Sequence, residues 1–238
     1  MFIPTLTVVE TMKYAAWTRM AEGTADVQRE ARVSLLLDTM GLMHVKDSLV
    51  GDSMHKGISG GQMKRLSIAV EIVGLPNLIF LDEPTSGLDS SIALEVMRTV
   101  RKLADGNRTI VSTIHQPSPE VFGLFHKVVL LSAGRVIYFG AADEAVAHFT
   151  RPQLGYKFTP GQNPAEFVID VCGGQVYPEG HSSPRQPEEL QQLYTKSQFY
   201  QEPADPATFT NIPEPTVTYT TRHSTTKLTQ FKMLMHRR

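Results

Sequence analysis

Residues 78–89 of the chain read LIFLDEPTSGLD. The apolar run Leu78 to Leu81 has a proline and an asparagine before it and two acidic residues after it, and this predicts a strand buried on both faces. Asp82 and Glu83 then lie at the carboxyl end of that strand, where open α/β sheets bind ligands. An isolated Asp-Glu pair is more often a solvated turn, but two carboxylates here can also bind Mg²⁺ and polarise an attacking water. The stretch therefore indicates a nucleotide site to be tested against the rest of the chain.

The segments that follow alternate between helix and strand patterns. Residues 92–103 predict a helix, residues 109–114 a strand, and Ser118 with the proline after it the start of another helix. Strand, helix and strand in this order predict a right-handed parallel α/β sheet. Residues 128–131 and 136–139 are separated by a short Ser-Ala-Gly-Arg connection, which predicts a hairpin at one edge of that sheet.

Helices are predicted on the N-terminal side of the deciding stretch. Residues 7–10, TVVE, form a capping box that opens a helix running toward Met20. Asp26 precedes a second helix, and its predicted apolar face carries Val27, Ala31, Leu35 and Leu36. The glycine pair at residues 60–61 opens a third helix that ends before Pro76.

Composition narrows the class of protein. The 238 residues carry 23 Lys+Arg against 24 Asp+Glu, a balance that gives no support to nucleic-acid binding. The single cysteine, Cys172, cannot form an internal disulfide, which favours a reducing compartment. No run of about 18 apolar residues occurs, and the N-terminus lacks a signal-peptide pattern. The chain as given is therefore predicted not to span a membrane.

The C-terminal third changes in composition. Residues 163–166, NPAE, predict a capped helix that stops at Gly173, where we place a domain boundary. Residues 174–221 are rich in Pro, Gly, Ser and Thr and predict a linker around one polar helix at 188–200. Residues 222–238 carry five Lys or Arg and no acid, and the pattern fits either a basic amphipathic helix at a membrane surface or a solvated tail helix.

Three motifs occur in a fixed order along the chain: ISGGQ at 58–62, LDEPTSGLD at 81–89 and IHQP at 114–117. This combination resembles the nucleotide-binding domain of ATP-binding-cassette (ABC) transporters, with a signature, a Walker B strand, a D-loop and a switch histidine. Residues 5–11, 163–167 and 230–234 also resemble the G subfamily of half-size lipid and drug exporters. The resemblance implies an α/β fold of the P-loop NTPase type, an ABC-cassette sheet flanked by helices with an α-helical signature subdomain.

Physical reasons support two of these motifs. Ser59, Gly60 and Gly61 at a helix N-terminus offer backbone N–H groups and the positive end of a helix dipole, which suit a phosphate. Without the Walker B strand the same residues would be no more than a flexible glycine turn. His115 follows a predicted strand, and its imidazole can donate or accept a hydrogen bond to the γ-phosphate or to the attacking water.

The resemblance implies a role for each motif residue. Asp82 would bind Mg²⁺ through water, and Glu83 would be the general base on the water that attacks ATP. In this family ATP lies between the P-loop of one subunit and the signature of the other, so the remaining motif residues would serve the ATP of a partner cassette. The residues implied in that role are Ser59, Gly60, Gly61, Gln62, Ser86, Gly87 and Asp89.

The P-loop pattern G-x-x-x-x-G-K-[ST] is absent, because none of the 17 glycines is followed by lysine. By resemblance the P-loop lies upstream of the position matching Met1 and the membrane helices begin past Arg238, so the sequence looks truncated at both ends. We expect a partial cassette over residues 1–173, with a helical subdomain at about 7–75 and a core at about 76–150. We also expect negligible ATPase activity and low solubility for the isolated chain, because the strand at 78–81 would keep an unpaired edge.

Three functional interpretations follow. The leading one is the ATP-hydrolysing cassette of a G-type half transporter that powers export of a lipid-like or hydrophobic substrate. It implies ATP and Mg²⁺, a second cassette in a homo- or heterodimer, a transmembrane domain normally on the same chain, no nucleic acid, and a position on the cytoplasmic side of a membrane.

An alternative is a non-catalytic module that pairs with intact cassettes; the missing P-loop favours it, whereas Glu83 and His115 argue against it. A soluble ABC ATPase of DNA repair or translation ranks third, because a basic segment ends this chain.

Overall fold

The computed structural model describes residues 2–52, 54–202 and 205. Contacts divide these residues into two compact units, a first unit up to Thr113 and a second unit from Ile114 onward. The predicted basic helix at 222–238 lies outside the described residues. The described helices are α1 (Val8–Arg19), α2 (Asp26–Thr39), α3 (Gly60–Ile72), α4 (Ser90–Asp105), α5 (Pro119–Phe122), α6 (Ala145–Phe149), α7 (Pro164–Cys172) and α8 (Pro187–Thr195), with a 3₁₀ turn at Met43–Val45. The strands are β1 (Leu78–Asp82), β2 (Thr109–Thr113), β3 (Lys127–Ser132) and β4 (Arg135–Ala141).

Helix α1 begins at the predicted capping box. The Glu10 backbone N–H donates to Thr7 Oγ1 at 3.2 Å, and the Thr7 N–H donates to Glu10 Oε2 at 2.8 Å. The Thr7 backbone and side-chain hydrogen bonds hold the pKa of the Glu10 carboxyl below its ordinary value, because they stabilise the charged form. The predicted start of this helix is confirmed.

Helix α2 buries a face that shares only Leu36 with the predicted one. Val27 and Leu35 are 77% and 56% exposed, and Ala31 is exposed as well. The buried positions are Arg29, Val33, Leu36 and Leu37. Val33, Leu36 and Leu37, with Met40 after the helix, share one side at helical spacing and offer more apolar area than Val27, Ala31 and Leu35. The larger apolar surface determines which side faces the core, so the predicted face is confirmed for Leu36 and wrong for Val27, Ala31 and Leu35.

Strands β1 and β2 form the predicted parallel pair. The register runs from Leu78 opposite Thr109 to Asp82 opposite Thr113, and α4 connects the two strands. The predicted burial of β1 on both faces is wrong, because only Ile79 is buried, whereas Phe80 is 72% exposed. Among the described residues β1 pairs with β2 alone, so one edge and one face of this sheet are uncovered.

The predicted hairpin of β3 and β4 is confirmed, but its predicted place is wrong. The strands are antiparallel, with Lys127 opposite Ala141 and a register irregularity between Leu130 and Leu131. Instead of lying at the edge of the parallel sheet, they form a separate two-stranded sheet in the second unit. The side chains that this hairpin buries belong to a core of their own.

The core of the second unit includes residues predicted to be linker. Tyr138 and Phe149 are fully buried there, and so are Leu190 and Tyr194 of α8. Helix α8 confirms that the Pro-rich stretch contains a helix, but the helix packs on β4 instead of joining two domains. The linker prediction is therefore wrong as far as Phe199, because apolar side chains at helical spacing pack this segment into the core. The extent of the cassette, 1–173, stays a prediction.

Two further features of the described residues bear on chemistry. Burial raises the pKa of the Cys172 thiol to about 12, so this cysteine is not a nucleophile at neutral pH. Within the described parts of the chain, no helix combines the length and the apolar character that crossing a bilayer requires.

Candidate functional site

The Asp-Glu pair lies at the end of β1, as the sequence predicts. Asp82 is the last residue of the strand and Glu83 follows it, and both residues are exposed. Thr113, the last residue of β2, lies between them: its hydroxyl donates to Asp82 Oδ1 at 2.6 Å, and the Glu83 backbone N–H donates to Thr113 Oγ1 at 3.0 Å. Thr113 therefore holds the Asp82 carboxylate and the Glu83 backbone from the neighbouring strand.

The backbone at Glu83 leaves the strand conformation abruptly. Its φ is 44°, in the left-handed region that residues other than glycine rarely adopt. A tight turn follows, in which the Ser86 N–H donates to the Glu83 carbonyl at 3.1 Å. Lys64 Nζ of α3 donates to the same carbonyl at 3.5 Å. Such strained positions cost about 1–3 kcal/mol and persist only where the surroundings enforce them.

The D-loop ends by capping α4. Gly87 has a φ of 74°, and the Asp89 carboxylate accepts a hydrogen bond from the Ile92 N–H at 3.0 Å. Asp89 is thus the N-cap of α4, a structural role that the sequence interpretation did not include. The residue itself, with Ser86 and Gly87, remains exposed.

The signature residues form the start of α3. Ser59 is the N-cap: its hydroxyl accepts from the Gln62 N–H at 3.3 Å, while Gln62 Oε1 accepts from the Ser59 N–H at 2.8 Å. Within the helix the first backbone bond is the one from Met63 N to the Ser59 carbonyl, at 2.8 Å. The N–H groups of Gly60 and Gly61 therefore have no acceptor within the helix, which is the condition for binding an anion.

The two signature glycines differ in the room around them. A Cβ at Gly61 would lie 2.3 Å from Ile92 Cγ2, whereas a Cβ at Gly60 would lie at an ordinary 3.6 Å from Leu88 Cδ2. Gly61 is therefore required by close packing of α3 against α4. Packing within the chain does not require glycine at position 60, which is exposed.

His115 lies in the second unit, at its first residues, and is exposed. The loop after it is held by Asn163, whose Nδ2 donates to the Pro117 carbonyl at 3.0 Å. Asn163 Oδ1 also accepts from the Ala165 N–H at 3.0 Å and so caps α7. Sequence reasoning found the cap of α7 but missed the bond to Pro117, which joins residues distant in sequence.

The predicted site residues are divided unequally between the two units. The first unit contains Asp82, Glu83, the signature and the D-loop, and Lys64 and Gly61 link α3 to the turn and to α4. His115 belongs to the second unit. No cluster of three or more metal-ligating side chains occurs among the described residues. Asp82 alone still fits Mg²⁺, because this ion is commonly bound by one or two carboxylates together with substrate phosphates.

Strand order, motifs and the helix that begins with two glycines define the class of protein as an ATP-binding cassette with an α/β fold. The ABC transporter model matches residues 1–86, and the ABC-2 type transporter model matches residues 115–235. The chain belongs to the ABC transporter family, and its relatives place it in the G subfamily.

Two relatives illustrate the similarity. The chain is 42% identical over 171 residues to ABC transporter G family member 14 of Arabidopsis thaliana, covering 72% of this chain and 26% of that protein. It is 36% identical over 215 residues to the broad substrate specificity ATP-binding cassette transporter ABCG2 of Sus scrofa, covering 83% of this chain and 32% of that protein. The chain thus spans about a quarter to a third of the length of these curated relatives.

A solved structure supports the fold. The chain superposes on MJ1267, an ATP-binding cassette of an ABC transporter, with a TM-score of 0.50 and 20% identity, covering 63% of this chain and 61% of that one. The predicted family and fold class are therefore confirmed. The roles of the individual site residues stay predictions.

Proposed function

We propose that this chain is the ATP-binding and ATP-hydrolysing part of a G-type ABC half transporter that exports a lipid-like or hydrophobic substrate. The observation that carries the proposal is the turn at Asp82 and Glu83. Thr113 fixes its backbone from the neighbouring strand, while both carboxylates stay exposed at the strand end. A carboxylate held by its backbone and open to solvent can reach a water without first breaking an ion pair.

In the proposed reaction Glu83 accepts a proton from the water that attacks the γ-phosphorus of ATP. The new bond joins the water oxygen to phosphorus, and the bond from phosphorus to the bridging oxygen of ADP breaks. Asp82 would hold Mg²⁺ through water, and the ion would neutralise charge on the phosphate oxygens. His115 would hold the γ-phosphate or the attacking water.

The exposed signature and D-loop support a partner cassette. Ser59 and Gly60 are exposed, and so are Ser86, Gly87 and Asp89 of the D-loop. With Gly61 and Gln62 at the same helix start, these residues would contact the ATP held by a second cassette in a homo- or heterodimer. A transmembrane domain and a position on the cytoplasmic side of a membrane complete the proposal, in keeping with the ABC-2 type transporter match.

The test uses a joined cassette, in which residues 1–238 follow an ABC cassette segment that carries the G-x-x-x-x-G-K-[ST] sequence. We expect ATP turnover by the joined cassette and a loss of about 100-fold or more in Glu83→Gln, with ATP binding unchanged. Glu30→Gln, an exposed carboxylate elsewhere in the first unit, is the matched control and keeps full turnover. Turnover that survives Glu83→Gln contradicts the assigned base.

A non-catalytic module that pairs with intact cassettes is the second candidate, favoured by the exposure of the signature residues Ser59 and Gly60. Its test mixes the unmodified chain with another cassette that keeps its P-loop but has a defective signature. If the chain supplies its signature, the mixture regains ATP turnover. Ser59→Ala in the chain removes this effect, whereas Glu83→Gln in the chain does not. If this mixture is active and the joined cassette is not, the module interpretation replaces the catalytic one.

A further inference from the structure

Thr113 occupies a position that no motif assigns. It is the last residue of β2 and lies opposite Asp82 in the parallel register. Its hydroxyl has a single proton to donate, and Asp82 Oδ1 receives it at 2.6 Å. The lone pairs that remain accept the Glu83 N–H at 3.0 Å. One hydroxyl therefore connects the proposed metal-binding carboxylate with the backbone of the proposed general base.

The bond to Glu83 replaces a missing ladder bond. Strand pairing ends at Asp82 and Thr113, so the Glu83 N–H lies beyond the last residue pair of the sheet. The φ of 44° at Glu83 is unfavourable for a residue with a side chain and needs an external restraint. Thr113 Oγ1 supplies this restraint, because moving the Glu83 backbone toward an ordinary φ would break the hydrogen bond.

Packing does not explain a threonine at this position. Thr113 is exposed, and so are Thr109 and Val111, which precede it at strand spacing on the same face of β2. A valine at position 113 would have the shape of threonine and the environment that Val111 already has. The difference between the two residues at this site is the hydroxyl, and in the described part of the chain the hydroxyl forms its hydrogen bonds with the Asp-Glu pair.

We propose that Thr113 is a positioning residue that holds the Glu83 backbone in its left-handed conformation and so places the Glu83 carboxylate for ATP hydrolysis. The inference rests on the proposed function, in which Glu83 is the general base. A misplacement of about 1 Å can cost a catalytic group about 100-fold in rate, so a restraint on its backbone has kinetic consequences.

The first measurement is amide hydrogen exchange of Glu83 in the 238-residue chain, which needs no nucleotide. Thr113→Val is expected to speed this exchange by about tenfold or more, while the Phe80 amide is unchanged. Thr113→Ser keeps the hydroxyl and stays within about threefold of the parent. Thr109→Val, the same substitution on the same face of β2, is the matched control. Equal exchange in all four proteins overturns the inference.

The second measurement is turnover of the joined cassette. Thr113→Val is expected to lower kcat by about tenfold or more with the KM for ATP within about threefold, and Thr113→Ser is expected to restore kcat. Combined with Glu83→Gln, Thr113→Val should cause a much smaller loss than it causes alone, because the part of its effect that passes through Glu83 is already gone. A kcat within twofold of the parent, or an undiminished loss in the double variant, overturns the inference.

The two measurements separate this inference from the proposed function. If Glu83→Gln abolishes turnover while Thr113→Val does not change it, the positioning role is wrong and the catalytic base stands. If Glu83→Gln leaves turnover intact, the proposed base and the role of Thr113 in hydrolysis are both wrong. The exchange rate of the Glu83 amide then still decides whether Thr113 restrains that backbone.

Discussion

The two small sheets of this protein differ in how much of their apolar surface is buried. In the second unit, β4 buries Ile137 and Tyr138 completely, with α6 and α8 packed on it. In the first unit, β1 has the more continuous apolar sequence but buries only Ile79 and leaves Phe80 72% exposed. Apolar character shows what a strand can bury, whereas burial depends on which elements of the chain cover it.

The largest expected effect tests this comparison directly with two phenylalanines. Phe149→Ala in the second unit removes a fully buried ring that contacts Tyr138 and Tyr156, and we expect a loss of about 3–5 kcal/mol in the free energy of unfolding. Phe80→Ala in the first unit removes a largely exposed ring and should cost about 0.5 kcal/mol.

Each unit offers its own probe for this pair of variants. Trp17, the single tryptophan, lies in α1 and reports urea unfolding of the first unit by fluorescence. Pulsed hydrogen exchange of peptides around β4 and α6 reports the second unit. Equal losses for the two phenylalanine variants would show that the two sheets are equally covered and that the comparison is wrong.

The second prediction tests how closely helices α3 and α4 of the first unit pack against each other, although the sheet of that unit is exposed. Gly61→Ala places a Cβ 2.3 Å from Ile92 Cγ2 and is expected to cost about 3 kcal/mol, the upper range for overpacking. Gly60→Ala is the matched control, because its Cβ has an ordinary contact at 3.6 Å, and it should change stability by less than about 1 kcal/mol. Trp17 fluorescence during urea unfolding measures both, and similar values would contradict the packing argument.

The third prediction concerns acid sensitivity of the second unit. His148 is fully buried among aromatic rings, and burial, with Arg151 nearby as the smaller cause, lowers its pKa to about 3. Below its ordinary pKa of about 6.5 the unfolded chain binds a proton that the folded chain does not bind, so stability falls as the pH falls. Between pH 7 and pH 5 we expect a loss of about 2 kcal/mol.

The measurement is the urea concentration at the unfolding midpoint of the second unit, determined by pulsed hydrogen exchange at pH 7 and at pH 5. His148→Leu should reduce the pH dependence, since leucine does not titrate, although it changes the packing as well. His55→Leu, a substitution of an exposed histidine in the first unit, should leave the pH dependence of the second unit intact. A parent protein whose second unit is equally stable at both pH values would contradict the buried neutral histidine.

The smallest expected effect tests how α8 is attached to the hairpin. Tyr194 donates its hydroxyl proton to the Phe139 carbonyl at 2.9 Å, and Tyr194→Phe should cost about 1 kcal/mol. Tyr177→Phe, at an exposed position, should have no measurable effect. Faster amide exchange in α8 for the first variant alone would support the attachment, and unchanged exchange would contradict it.

Local features of this fold could be predicted from sequence. The capping box at Thr7 and the cap at Asn163 depend on residues near one another in the chain, and the parallel strands around α4 follow from the order of strand, helix and strand. All three are confirmed. The motifs of the candidate site were likewise recognisable, because their residue types and order are specific. Their proposed roles in catalysis stay predictions.

Features that depend on distant residues could not be predicted. The bond from Thr113 to Asp82 joins residues 31 positions apart, and the bond from Asn163 to Pro117 joins residues 46 positions apart. Neither leaves a periodic pattern in the sequence. The exposed face of α2 and the burial of α8 were missed for the same reason, since hydrophobic periodicity identifies a helix but does not identify its neighbour.

The buried thiol of Cys172 has a practical consequence for following this protein by spectroscopy. Its pKa of about 12 keeps the thiol protonated at pH 7, so it reacts slowly with maleimide reagents. The natural chain therefore offers a weakly reactive thiol background for labelling at an introduced cysteine. A fluorophore attached through Ser86→Cys, on the exposed D-loop, would test whether the proposed second cassette approaches this loop, without removal of the native cysteine.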